Sequence, residues 1–131
     1  MPRRSPALIL VHIVWATLGR RPMLPASFDS TLAAILGRTA SESGCWILEF
    51  GSASDHVHVL LRLSPVAPLS SVVKGLKGAG AHEVNHHGLL LERLALQAGY
   101  WAESFGPADV QSLAEYVRVQ RTHYDDSHPA E

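Results

Sequence analysis

Residues 8 to 16, Leu-Ile-Leu-Val-His-Ile-Val-Trp-Ala, form an almost unbroken apolar run rich in β-branched and aromatic types. Turn formers from Gly19 to Pro22 halt it, so it predicts a buried first strand. The period then lengthens. Phe28, Leu32, Ile35, Leu36 and Thr39 recur near helical spacing, Ser27 or Asp29 is available as a cap, and Gly44 marks a stop; a helix is expected over 28–43. Cys45 to Phe50 and His56 to Leu63 predict strands two and three, joined by Gly51 to Asp55 as a hairpin-length connection. After Pro65 and Pro68, apolar Leu69, Val72, Val73 and Leu76 open a second helix. Gly75, Gly78 and Gly80 fall in or near it, each costing about 1 kcal/mol relative to Ala. Tyr100 to Phe105 predicts a fourth strand. Gly106-Pro107 then opens a last helix running to about His123, ahead of an acidic tail from Asp125 to Glu131. The order β-α-β-β-α-β-α predicts an α+β fold, a ferredoxin-like βαββαβ sandwich with one additional C-terminal helix.

Composition narrows the class. With 131 residues, 47% of them hydrophobic, and a formal net charge of -1, the chain reads as a single domain over 1–131 and not as a disordered segment. The N-terminal Arg3-Arg4 and the apolar stretch to Leu18 imitate a signal peptide. His12 inside the stretch, the missing small-x-small cleavage site and the following Gly19-Arg20-Arg21 oppose that reading. The stretch is too short to span a bilayer, and a lone Cys45 fits a reducing compartment, so a cytoplasmic location without membrane attachment is expected. Charge is unevenly placed. Eight basic and four acidic residues lie up to Gly80, three and eight after it, which hints at a polyanionic partner for the first part.

Three groupings carry candidate chemistry. His56-Val57-His58 puts two imidazoles on one face of strand three, a ready divalent-cation site, while Val57, Val59, Leu61 and Leu63 line the other. By composition about 0.2 such matches arise by chance, so alone it weighs little. His82-Glu83-Val84-Asn85-His86 matches the zinc-protease pattern, with about 0.02 expected by chance, yet it follows three glycines and runs into His87-Gly88. An exposed, His-rich helix end is the better reading there. On the last helix, Val110, Leu113, Ala114 and Val117 form an apolar stripe, and Tyr116 and Gln120 lie one turn apart beside it.

Taken together, these segments resemble the single-tyrosine HUH transposases of small bacterial insertion sequences and their relatives acting on repetitive extragenic palindromes. The likeness is carried by His12 to Thr17 with Arg20-Arg21-Pro22, by Asp55 to Leu61, by Leu76-Lys77-Gly78, by Gly99 to Gly106, and by Glu115 to Gln120. It implies that His56 and His58 bind a metal, magnesium or manganese, with Gln120 completing the shell, and that Tyr116 is the nucleophile. It also implies a homodimer whose sites can be composite, Tyr116 and Gln120 approaching the His56/His58 pair of one subunit or the other, with the partner's favoured. The ligand implied is single-stranded DNA with hairpin structure, held by Arg20, Arg21, Lys74 and Lys77. A phenol with a pKa near 10 is a poor nucleophile at neutral pH, and a Lewis acid on the phosphate offsets that weakness. Two other readings are a hairpin-binding protein without catalysis and a small zinc hydrolase using His82, Glu83 and His86.

Overall fold

A computed structural model describes residues 7–121. Its elements follow the expected order: β1 (Ile9–Ala16), α1 (Asp29–Glu42), β2 (Trp46–Ala53), β3 (His56–Leu63), α2 (Leu69–His86), β4 (Trp101–Phe105) and α3 (Val110–Arg118). The strands form one sheet in the order β2-β3-β1-β4 with every neighbouring pair antiparallel. This is the α+β, ferredoxin-like arrangement, in which β3 separates the two parallel strands β1 and β2.

Strand parity sets the two faces. Val11, Ile13 and Trp15 of β1 and Val57, Val59 and Leu61 of β3 bury together with Leu32 and Leu36 of α1 and Val72, Val73 and Leu76 of α2. Each such side chain contributes about 1.5–3 kcal/mol on burial, so the register is strongly fixed. The alternate residues His12, His56, His58 and Leu60 must then face the other way. That face is not bare: α3 packs across β2 and β3 and buries it.

The structure departs from the sequence reading in four places. β2 does not stop at Phe50 but continues to Ala53, because Gly51, Ser52 and Ala53 pair with His58, Val57 and His56 despite weak strand preference. The connection is reduced to Ser54 and Asp55. A bulge at Leu48, between Ile47 and Glu49 in the register, turns Phe50 towards the helices and Gly51 towards α3. Neither Ser27 nor Asp29 caps α1; Phe28 occupies the cap position, and the Asp29 carboxylate instead accepts hydrogen bonds from Ser52 and Arg121. The last helix opens through a 3-10 turn at Pro107–Asp109 and ends at Arg118, with Val119 as its C-cap, short of the expected His123; the acidic tail lies outside the described residues. No helix among those residues is long and apolar enough to cross a membrane.

Candidate active site

His56 and His58 stand side by side on β3 with ring centroids 4.9 Å apart, and both are buried, 3% and 5% exposed. α3 brings Tyr116 to them, and the turn that ends it at Val119 brings Gln120, within the same chain. The Gln120 amide is fully buried, donates from Nε2 to the Tyr116 carbonyl, and thereby turns Oε1 to within 3.4 Å of His56 Nε2. The other nitrogen of His56, Nδ1, lies 2.7 Å from the Asp55 carboxylate, which can only accept. Nδ1 must therefore donate to Asp55, which leaves Nε2 as the atom opposite the Gln120 oxygen. Two imidazoles with an amide oxygen suit a divalent ion, to which His56 would present Nε2. The Tyr116 ring packs edge-on to His58 at 5.8 Å between centroids and remains 40% exposed. The phenol thus borders the donor set while keeping access to solvent.

Burial, reinforced by the neighbouring His56, His12 and Arg20, pushes the His58 pKa down to about 3, so its imidazole is neutral and able to ligate. At Asp55 burial acts upward, yet the hydrogen bonds from His56 and Arg20 and their charge outweigh it and leave the carboxyl below its usual value. Arg20 donates from Nε to Asp55 at 3.1 Å. Its backbone is held at φ 57, a left-handed conformation uncommon outside glycine, in the turn that follows β1. That turn aims the guanidinium at a cleft of about 290 Å³ lined by His56, His58, Gln97, Tyr100 and Trp101.

Residues 6–120 match the model of a family described as IS200-like transposases. This chain belongs to that family. The ISDra2 transposase TnpA of Deinococcus radiodurans is 27% identical over 116 residues, covering 88% of this chain and 81% of that one. A transposase crystal structure from Deinococcus radiodurans R1 superposes with a TM-score of 0.71 at 23% identity, covering 92% of this chain and 97% of that one. A REP-associated tyrosine transposase bound to a REP hairpin gives 0.65 at 15%, covering 92% and 72%. At those identities the two structures establish the shared fold.

In this IS200-like transposase the predicted residues divide into two sets. His56, His58, Gln120 and Tyr116 converge within one chain, one of the two arrangements that the sequence allowed. Of the four cations, Arg20 alone lines the cleft with the histidines. Arg21 pairs with Glu92 at the surface. Lys74 and Lys77 border a neighbouring groove of about 470 Å³ that shares Gln97 to Tyr100 with the cleft. The Lys77 ammonium is engaged there, donating to the carbonyls of Gln97 at 2.8 Å and Gly99 at 2.7 Å, and burial lowers its pKa. His82 and His86 stack on the exposed face of α2, while Glu83 turns away to pair with Arg38 of α1, so the three do not form a zinc-hydrolase centre. Sequence reasoning missed Asp55 and His12. Asp55 adjoins His56 and could have been flagged as its orienting carboxylate; His12, 46 residues from His58, needed the strand register to be seen.

Proposed function

We propose that this transposase cleaves and rejoins single-stranded DNA through a covalent 5′-phosphotyrosine formed by Tyr116. His56, His58 and Gln120 would hold magnesium or manganese. The observation carrying this reading is the fixed Gln120 amide: its oxygen lies 3.4 Å from His56 Nε2, and α3 puts Tyr116, four residues earlier, against His58. When bound, the ion supplies Lewis-acid polarisation of the scissile phosphate. The Tyr116 oxygen attacks phosphorus and loses its proton, the bond to the 3′ oxygen breaks, and that oxygen leaves as a 3′-hydroxyl. Attack by another 3′-hydroxyl reverses the exchange and frees the tyrosine, so no nucleotide hydrolysis is needed. Arg20 in the cleft and Lys74 in the adjoining groove would contact phosphates, and the exposed Tyr100 and Trp101 rings offer surfaces for unpaired bases. The hairpin bound by the REP-associated relative supports hairpin-bearing DNA as the ligand.

The test uses labelled single strands taken from either side of the chain's own gene, incubated with manganese and resolved under denaturing conditions. A covalent protein–DNA adduct formed by wild type and absent from Tyr116→Phe is expected. No adduct on any flanking strand overturns the reading, and hairpin binding retained equally by wild type and His56→Ala/His58→Ala would favour a hairpin-binding protein without catalysis.

A further inference from the structure

Behind the two proposed ligands lies a third buried histidine. His12 of β1 is 8% exposed, and its Nε2 is 2.9 Å from Nδ1 of His58. Its ring is fixed on another side by an edge-on contact with Trp101 at 5.1 Å between centroids. The two histidines are not directly opposed, since His12 pairs with Leu60 and His58 with Val14; they meet diagonally on the face that α3 covers.

A neutral imidazole carries one N–H, so the His12–His58 hydrogen bond has a direction with chemical consequences. If His12 donates, His58 Nδ1 accepts, its proton resides on Nε2, and the nitrogen facing away from His12 has no lone pair for an ion. If His58 donates from Nδ1, its Nε2 is free to ligate and His12 Nε2 is the acceptor. We propose that His12 is a positioning residue that accepts this hydrogen bond and holds His58 in the tautomer able to bind the divalent ion. It repeats at His58 what Asp55 does at His56: each ring gives Nδ1–H to a fixed acceptor and turns Nε2 towards the ion. The inference rests on the metal site proposed above.

The test compares His12→Leu, which removes the acceptor, with His12→Gln, whose amide oxygen can stand near the former Nε2. Manganese affinity is measured by titration on the full chain, and the tautomer of His58 by nitrogen NMR of the ion-free protein. Wild type is expected to show His58 protonated on Nδ1. His12→Leu should bind manganese about 10–100-fold more weakly, the range for lost partners of metal-bound histidines, with His12→Gln recovering most of that loss. Matching thermal melts identify folded variants. A folded His12→Leu with wild-type affinity, or His58 protonated on Nε2 in wild type, overturns the inference. Unchanged manganese binding by His56→Ala/His58→Ala would instead overturn the metal site itself, and the tautomer of His58 still reports on His12.

Discussion

His58 and His12 are both held below the ordinary imidazole pKa, His58 to about 3, chiefly because burial disfavours their charged forms. In the unfolded chain each titrates near 6.5. Below that pH the unfolded state gains protons that the folded state refuses, so stability is full above about pH 6.5 and is lost progressively as pH falls, for His58 down to about pH 3. For His58 the loss approaches about 1.4 kcal/mol per pH unit, and the lowered His12 adds to it in the same direction. Urea midpoints of chelator-treated protein should therefore fall clearly between pH 7 and 5, and His58→Gln should flatten that fall. The depressed Asp55 acts in the same direction, but its loss begins only near the normal carboxyl pKa of 3.8, so the interval above pH 5 isolates the histidines. A level profile across it would show that neither imidazole is held neutral. The His56/His58 pair and the Tyr116/Gln120 spacing were legible because each lies within a single period of one element. The amide orientation of Gln120 and the contact between His12 and His58 were not, since both depend on neighbours from other strands and turns.

α3 reaches the histidines only because β2 lets it lie low on the sheet. A Cβ placed on Gly51 would overlap the carbonyl oxygen of Val117, the buried residue between Tyr116 and Gln120. The bulge at Leu48 is what turns Gly51, and not Phe50, beneath the helix. Without it, parity would set a large ring where the helix must sit. Beyond Gln120, Arg121 donates to Asp29 and Ser52 and ties the end of the helical segment to α1 and β2. Gly51→Ala should lift α3, costing about 1–3 kcal/mol of stability and reducing adduct formation at least tenfold while the α1/α2 core stays folded. Wild-type adduct yield in that variant would show that the helix need not approach so closely. Opposite, Lys77 clamps the segment before β4 to α2. Lys77→Met should raise amide exchange across residues 97–100 selectively, with β1 and β3 unaffected, because only that local closure is removed. Uniform exchange would show that the clamp adds no local stability. Element order and type were readable from periodicity, whereas the bulge and the length of β2 were not: three small residues carry little strand preference and pair only because β3 is there.

Among the described residues, the uneven charge along the chain translates into fewer free cations than its arithmetic promised. Arg20 pairs with Asp55, Arg21 with Glu92 and Arg38 with Glu83, and Lys77 is held by two carbonyls. Lys74 beside the second groove and Arg20 at the cleft are the cations that border the proposed DNA path. With about two phosphates neutralised and a slope near -0.7 for each on single strands, affinity should drop only about sevenfold between 50 and 200 mM salt. Strongly basic DNA binders making many phosphate contacts lose about 10³–10⁵ over the same interval. Binding of a hairpin-bearing single strand, measured by fluorescence anisotropy across that range, distinguishes the two regimes. Lys74→Ala should lower the slope by about 0.7, whereas Arg38→Ala, at a side chain paired with Glu83 and lining neither the cleft nor the groove, should leave it unchanged. A steep slope, or equal effects from the two variants, would mean that DNA follows a different path. The shallow slope is the outcome consistent with this geometry, because a near-neutral protein whose guanidinium groups are largely paired must rely on base stacking and hairpin shape for much of its affinity.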